Sequence, residues 1–586
     1  MSGASGSTEA SGSDGGAPRS LLAAIAATAD AVAATVPYTA SVPDGYRRAC
    51  RSLSLSRPAA AILTAGYGIA SCAAGLAVLA VAVGGPLASL VSLALITGAL
   101  GIVALARYGV PFAADAKRVR TLGAAPSLVS ALVLGATLWP SAERATAFAT
   151  RASDTPLAAR LDTHRRRAAG TPQSGLSAFA AAWGESFPAL ERAVGLVERA
   201  TAAQASERPA ILDSARRQIL DGTRDEMAAF AAALRGPATG LYAFGVLLPL
   251  AMVSLLPAAA AAGVPVTGPA LAGLYGVALP AALLVASAWL LGRRPVAFPP
   301  KPIPRSHPDV PATALPAVMA GVAGAVAGGG LATALVAPWA TPVGALGTGT
   351  GTALVFRYRP AKRVRDRVNA VEAGLPDLLS SVGRRLDAGQ SVESALAEAA
   401  SEARSPTKEI VDAAVARQEH LRTSVEGAFL GPHGALSTLP SRRARRAATL
   451  LGTAATVGPP AGESLTAMGD HLDELRAVER ETRRDLARIT ETLSNTAALF
   501  GPLVGGATVA LSGTMGGGGQ FSAVPSATLG PVVGWYVLVL AVLLTALSTG
   551  LHRGLDRALV GYRVGLALLS ATATFLAAVV ATGLLV

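Results

Sequence analysis

The sequence predicts an all-α polytopic membrane protein with about nine transmembrane helices and two cytoplasmic helical-bundle domains arranged as a tandem repeat. Three observations predict this fold class. Long stretches of the chain carry no charge, and the Lys and Arg residues all fall on one side of the topology that those stretches define. In addition, the chain matches itself when it is shifted by 250 residues.

The composition excludes a single soluble globular domain. Of the 586 residues, 51% are hydrophobic and only 15% are charged, whereas a soluble chain usually carries about 25% charged residues. The net charge of +13 is typical, on a membrane protein, of positively charged cytoplasmic faces rather than of a nucleic-acid partner. The two cysteines, Cys50 and Cys72, exclude a disulfide framework and a cysteine-based metal site.

Five stretches without Asp, Glu, Lys or Arg define the membrane part. They lie between Arg57 and Arg107, Arg235 and Arg293, Asp309 and Arg357, Glu491 and Arg553, and from Arg563 to the C-terminus. A spanning helix needs about 20 apolar residues, so each of the first four stretches holds two helices and the last holds one. The predicted spans are 59–83, 86–106, 237–262, 269–292, 312–336, 338–356, 494–514, 526–550 and 564–586.

The charges then set the predicted orientation. With the N-terminus in the cytoplasm, every Lys and Arg falls inside and the outer turns carry no charge, which is a full positive-inside pattern. The C-terminus is then outside the cell membrane. The predicted segments are 1–57 (a disordered tail and a small cytoplasmic helical segment), hairpin 58–106, cytoplasmic domain 107–236, hairpin 237–292, cytoplasmic loop 293–310, hairpin 311–356, cytoplasmic domain 357–493, and three spans in 494–586.

The repeat rests on aligned polar and proline positions rather than on the abundant alanines. The 250-residue shift pairs Arg107-Tyr108 with Arg357-Tyr358, Pro126 with Pro376, Ser141 and Glu143 with Ser391 and Glu393, and Pro156 with Pro406.

The repeat also decides how one ambiguous stretch is interpreted. Thr121–Ala142 is uncharged and long enough to span, but its counterpart, Glu372–Glu393, carries several charges. We therefore expect Thr121–Ala142 to be a soluble helix with an apolar surface, packed on the membrane or on the second domain. The sequence leaves open whether it is soluble or membrane-associated.

The second domain shows clear helix boundaries. Pro376 is suited to the first turn of a helix, Gly389 to a helix end, and Ser391 to the start of the next helix, with Glu393 in its first turn. A long amphipathic helix over 465–493 is predicted to run directly into the span at 494–514. The first domain has a looser equivalent before the span at 237–262, so bundle movement would pass into the membrane through stiff helices.

The sequence contains no recognisable catalytic, cofactor or metal site, and the chain is not predicted to be an enzyme. None of its four lysines follows a glycine in a phosphate-binding loop. There is no Gly-x-Ser-x-Gly elbow and no His-x-x-x-His pair. The predicted spans hold no Asp, Glu or His, whereas coupled carriers usually place ionisable residues inside the bundle. A transporter or permease that works without such residues stays open as the alternative function.

Small-residue faces and basic clusters complete the sequence features. Gly324–Gly328 and Gly501–Gly505 have the Gly-x-x-x-Gly spacing of close helix packing, which favours contacts within the chain over a partner-binding face. The basic clusters fit contact with anionic lipids or with an acidic protein. No aromatic residues interleave with them, so nucleic acid is not a predicted partner. The clusters are Arg165–Arg167, Lys362–Arg367, Arg384-Arg385 and Arg442–Arg446.

Two segments resemble a known family. Leu375–Leu379 with Leu386–Leu396 is similar to the start of the type II secretion system F domain, and Leu472–Arg476 with Leu493–Gly506 is similar to its end. The resemblance covers about 357–515 and is weaker over 107–260, where Trp139-Pro140 replaces the Gly389-Gln390 turn. The residues that carry it include Pro376, Gly389, Ser391, Glu393, Gly501, Pro502 and Gly505.

Two such domains with nine spans resemble the platform proteins of archaeal type IV pili and of the archaellum. The resemblance implies a platform in the cytoplasmic membrane on which a separate cytoplasmic hexameric ATPase docks, and which helps to insert pilin-like subunits into a filament. Which filament is built, and whether the platform is a homodimer, stay open. We expect the ATPase contact at Arg384, Arg385, Asp387, Arg442, Arg443, Arg445 and Arg446.

Overall fold

The structure is a computed structural model of the chain. It describes residues 41–53, 59–83, 121–153, 155–171, 174–184, 187–261, 268–292, 303, 307–311, 313–458, 461–515, 525–554 and 556–585, with short pieces between 99 and 117. This described part is 88% helical and contains no strand. The all-α fold class predicted from the sequence is therefore confirmed.

By contacts, the chain divides into two units. Residues 1–115 with Ala272–Ala281 form the first, and the rest forms the second. The first unit contains Asp44–Ser52 (α1) and Ala59–Val83 (α2). Within it, the Tyr46 hydroxyl donates a hydrogen bond of 3.0 Å to the carbonyl of Ala106.

The second unit begins with a bundle of six helices, which we call bundle 1. Its core is formed by buried alanine, leucine, valine, isoleucine and phenylalanine side chains, and Leu128, Leu161 and Ile219 are fully buried in it. The helices are α3 (Ala125–Leu138), α4 (Ala142–Ala152), α5 (Pro156–Ala168), α6 (Gly175–Gly184), α7 (Pro188–Ala202) and α8 (Arg208–Tyr242).

Apolar helices follow bundle 1, and the last of them enters the next bundle without a break. They are a π-helical turn at Ala243–Leu247, α9 (Leu248–Ala261), α10 (Gly268–Gly273), a second π turn at Leu274–Ala278, α11 (Leu279–Gly292), α12 (Leu315–Leu335), a short 3₁₀ turn at Pro338–Ala340 and α13 (Thr341–Asp387).

The remaining helices complete the second bundle, bundle 2, and the C-terminal membrane part. They are α14 (Val392–Glu402), α15 (Thr407–Leu421), α16 (Val425–Leu430), α17 (Arg442–Val457), α18 (Ala461–Asn495), a third π turn at Thr496–Phe500, α19 (Gly501–Met515), α20 (Ser526–Arg553) and α21 (Arg557–Leu585).

Several helices of bundle 1 recur in bundle 2 in the same order and with the same or similar length. Helix α14 begins and ends 250 residues after α4. Ser141 and Ser391 both accept a hydrogen bond from the backbone N–H three residues on, so both start a helix, as predicted for Ser391. Helices α8 and α18 both have 35 residues, and a five-residue π turn follows each. The tandem repeat inferred from the sequence is therefore present in the helices.

Among the described residues, seven helices are long and apolar enough to span a membrane by length and composition, and they coincide with seven of the nine predicted spans. Most of the predicted span 86–106 lies outside the described residues. The predicted span 338–356 is helical from Thr341 onward, but it does not reach the same apolarity because of its many Gly and Thr residues. The seven lie within Ala59–Leu79, Arg208–Leu256, Gly268–Gly292, Leu315–Leu335, Ala461–Gly513, Ser526–His552 and Arg557–Leu585.

One predicted helix boundary is wrong. Pro376 does not start a helix, because α13 runs through it for 47 residues. Proline removes one helical hydrogen bond, but Pro376 is buried where α18 packs closely on α13. There the Arg476 guanidinium donates to the carbonyl of Ala373 at 2.7 Å. The end of α13 is as predicted: Gly389 has a φ of +89°, and the N–H of Gln390 returns to the Arg385 carbonyl.

The ambiguous stretch Thr121–Ala142 packs on the second bundle, one of its two predicted locations. Its helix, α3, has 14 residues, ten of them buried. Leu128 and Leu132 face the core of bundle 1, whereas Leu134 lies in the core of bundle 2. A helix between two cores is apolar on nearly all sides, which explains its membrane-like sequence.

The glycine faces pack within the chain, as favoured by the sequence. In α12, Gly324 and Gly328 lie against α13, where the Thr348 hydroxyl donates to the Gly324 carbonyl at 2.7 Å. Gly505 in α19 faces Val533 and Val537 of α20. Small residues here allow the helix backbones to approach closely.

Candidate functional site

The two bundles share a contact formed by α3 and α18. Leu134 of α3 belongs to the core of bundle 2, and Leu475 of α18 belongs to the core of bundle 1. Between these leucines, the Ser130 hydroxyl lies within hydrogen-bond distance of Nε2 of His471. Both residues are buried. Movement of one bundle is therefore mechanically linked to the other through this contact.

His471 is held in its neutral form. The Ser130 hydroxyl donates its proton to the Pro126 carbonyl at 2.6 Å, so it accepts a hydrogen bond from Nε2–H of the imidazole. Nδ1 has no hydrogen-bond partner among the described residues. Burial, and then the positive charges of Arg216 and Arg443, lower the pKa of His471 to about 3. His471 precedes the charge-free, membrane-spanning part of its helix, which begins after Glu491.

A charged network surrounds this contact. Glu372 in α13 is buried, and it accepts a hydrogen bond of 2.7 Å from the Ser441 hydroxyl. Arg443 lies 3.4 Å from both Glu372 and Glu479. Buried charges need such partners, because taking a lone charge out of water costs several kcal/mol.

One ion pair in this region joins the two bundles. Arg216 of α8 lies 3.5 Å from Glu474 of α18, which is one helical turn beyond His471. The sequence analysis did not identify Ser130, His471 or Arg216. The only available signal was a lone histidine on the buried stripe of the amphipathic helix, and its partner lies 341 residues away in the chain.

Arg385 and Arg443, which were expected to contact an ATPase, form ion pairs within bundle 2. Arg385 binds Glu398 at 3.1 Å and Glu402 at 2.7 Å. The hydrogen bond from Arg385, and then the one from the Ser381 hydroxyl, hold the pKa of Glu402 below its usual range. Arg443 belongs to the network around Glu372. Both guanidinium groups therefore form ion pairs that stabilise bundle 2.

The other expected contact residues fall into two separate sets. Arg384 and Asp387 are exposed at the end of α13, whereas Arg442, Arg445 and the half-buried Arg446 lie in the first turns of α17. The start of α17 lies beside Glu372 of α13, because the hydroxyl of Ser441, the residue before α17, donates a hydrogen bond to Glu372. From Glu372 to Asp387 the helix rises about 22 Å, so the arginines do not form one patch.

Arg384 and Asp387 lie at the end of bundle 2 that is farthest from the membrane. Gly462, at the start of α18, packs against Asp387. From this start, α18 extends for 35 residues, about 52 Å, before its π turn and the apolar α19. We call this end the distal tip.

A further buried ion pair involves α13, just after the apolar N-terminal part of this helix. Arg365 and Asp556 form an ion pair, with side chains 10% and 9% exposed. The other oxygen of Asp556 accepts from the N–H of Ala558 at 2.7 Å and so caps α21. The sequence placed Arg365 in a basic cluster suited to lipid contact. In the structure, the Arg365 side chain instead points into the protein, where it contacts the connection between α20 and α21.

No model of a protein family, no curated protein and no solved structure matches the chain. The site is therefore interpreted from its own geometry.

Proposed function

We propose that the protein is a membrane platform of a filament-assembly machine related to type IV pili and type II secretion. In this role it couples a separate cytoplasmic hexameric ATPase to the insertion of pilin-like subunits from the membrane. The observation that carries the proposal is the pair of repeated bundles, each continuous with a spanning helix through a 35-residue helix.

This architecture suits mechanical coupling. Bundles 1 and 2 contact each other through α3 and α18, so a force on one reaches the other. The helices α8 and α18 lead from the bundles into apolar segments. A motor that moves the bundles would therefore displace the spanning helices, against which membrane-embedded subunits lie.

The distal tip is the proposed docking point of the ATPase. Its exposed Arg384 and Asp387 lie about 50 Å from the apolar segment, beyond the reach of lipid headgroups. The exposed Arg442 and Arg445 lie nearer the membrane and form a second proposed contact. Arg385 and Arg443 are left out of the charge-reversal test, because reversal there would also break their ion pairs within the bundle.

The experiment has two parts. Deletion of the gene should remove surface filaments counted by electron microscopy, and expression of the wild-type chain should restore them. The double variant Arg384→Glu, Asp387→Lys should insert normally into the membrane but fail to restore filaments or to co-purify with a Walker-type ATPase. The matched control is Arg167→Glu, a charge reversal at an exposed arginine of bundle 1.

Unchanged filaments in the deletion strain would refute the assembly role. Restored filaments with the double variant, at wild-type ATPase recovery, would refute only the docking point.

A further inference from the structure

In the part of the chain that the structure describes, three π-helical turns interrupt the apolar helices, and each has the same sequence relation to a proline. The turns are Ala243–Leu247, Leu274–Ala278 and Thr496–Phe500. In each case the proline is the second residue after the turn, at Pro249, Pro280 and Pro502. The recurrence shows a common cause, because π turns are rare in proteins.

The cause is the geometry of proline. Inside an α-helix its ring collides with the carbonyl four residues earlier, and it cannot donate a hydrogen bond to that carbonyl. A π turn widens the helix and shifts the hydrogen bonds by one residue: the N–H of Leu248 returns to Ala243, and that of Gly501 returns to Thr496. The helix thus continues past the proline instead of breaking.

In the two π turns that follow the bundle helices α8 and α18, a hydroxyl group from another helix donates a hydrogen bond to the carbonyl that lies four residues before the proline. The Tyr536 hydroxyl of α20 donates to the Gly245 carbonyl at 2.7 Å, and Gly245 precedes Pro249 by four residues. The Ser570 hydroxyl of α21 donates to the Ala498 carbonyl at 3.1 Å, and Ala498 precedes Pro502 by four.

These two turns occupy equivalent places in the repeat. Both follow a 35-residue bundle helix directly, and Pro502 comes 253 residues after Pro249, as Thr496 does after Ala243. The donors are different residue types on different helices, yet they serve the same carbonyl position.

We infer that the segments 243–249 and 496–502 are paired pivots, at which each bundle helix tilts relative to the membrane part. Tyr536 and Ser570 are positioning residues that hold the resting angle by binding the pivot carbonyls. The long helices are therefore jointed at their entry into the apolar region, and not stiff rods as the sequence suggested.

Helix α18 is long enough for a small tilt at its pivot to displace the distal part of the helix by several ångströms. Arg480 lies about 27 Å along α18 from Ala498. A tilt of about 10° at the second pivot therefore displaces Arg480 by about 5 Å, and the distal tip by about twice that amount. The hydroxyl group of Ser570 would leave the Ala498 carbonyl in such a motion, and this loss sets the resistance to it.

The test measures the angle directly on the full chain in lipid nanodiscs. In a background of Cys50→Ala and Cys72→Ser, spin labels on Arg480→Cys and Leu566→Cys report the distance between α18 and α21 by double electron–electron resonance. Both positions are exposed. Ser570→Ala should shift or broaden the distance distribution by about 5 Å, whereas Ser570→Thr, which keeps the hydroxyl, should restore it.

The matched control is Ser512→Ala. Ser512 is more deeply buried than the half-buried Ser570, and its hydroxyl donates within its own helix to Val509 at 2.8 Å. In addition, Pro502→Ala restores a backbone donor and should narrow the distribution below that of the wild type. If Ser570→Ala and Pro502→Ala both give the distribution of the Ser512→Ala control, the pivot is refuted. No ATPase or filament takes part, so this outcome is independent of the proposed function.

The first pivot is tested in the same way with a label on Arg224→Cys in place of Arg480→Cys. Tyr536→Phe removes the hydroxyl that binds Gly245 and leaves the ring. It should broaden the distance distribution at the first pivot. An unchanged distribution there would restrict the inference to the second pivot.

Discussion

Acidification should loosen the contact between the two bundles through one side chain, His471. The ring is buried between α3 and α18, and its pKa is about 3. In the opened contact the ring meets water, and its pKa returns toward the usual 6.5. The folded-state pKa is lowered, so the stabilisation is complete above about pH 6.5 and is lost as the pH falls below that value.

The magnitude follows from the two pKa values. Between about pH 7 and about pH 5, the opened state gains a proton that the closed state does not bind. The closed contact then loses about 2 kcal/mol, which corresponds to roughly 25-fold more opening. The charges that face the ring are Arg216 from α8, Arg443 from α17 and Glu474 on its own helix. Helix α3 contributes no titratable group.

Hydrogen exchange measured by mass spectrometry is the suitable assay. After correction for intrinsic rates, the amides of α3 should exchange roughly 25-fold faster at the lower pH. His471→Gln should remove this pH dependence, whereas His420→Gln, at an exposed histidine, should keep it. Equal protection of α3 at both pH values in the wild type would refute the buried, neutral histidine.

Two further predictions concern stability measured by thermal unfolding in detergent. Asp556→Asn should cost about 3–5 kcal/mol because it leaves Arg365 buried without its partner. The control Asp366→Asn, in an exposed pair with Lys362, should cost under about 1 kcal/mol, and equal losses would contradict the buried pair. Gly344→Ala would place a methyl group 2.5 Å from the Gly328 carbonyl, so it should lower the melting temperature by several degrees. The control Gly330→Ala, with open space at its Cβ position, should not, and the same loss there would refute close packing of α12 on α13.

Helix ends that depend on neighbouring residues were predicted correctly from the sequence. The start at Ser391 and the end at Gly389 depend on a few neighbouring residues, and they are found as predicted. Pro376 failed as a helix start, because α13 continues through it in the region where α18 packs on α13. Intrinsic preference is a weak guide when tertiary contacts oppose it.

The expected contact residues show the same division. Charge and position marked seven of them, but exposure could not be read from the chain. Arg384 and Arg385 are neighbours, yet one is exposed and the other binds Glu398 and Glu402 from the next helix. A helix turns 100° per residue, so adjacent side chains meet different surroundings.

The sequence by itself determined the all-α class, the apolar stretches, the repeat and the continuity of the bundle helices with the membrane. Each follows from composition or periodicity along the chain, which burial in lipid or in a core imposes directly. Tertiary structure alone decided the Ser130–His471 contact, the Arg365–Asp556 pair and the hydroxyl groups at Gly245 and Ala498. These pairs join residues 72 to 341 positions apart. Which residues become partners depends on which helix faces meet in the folded protein. The residue type at one position of the sequence does not contain this information.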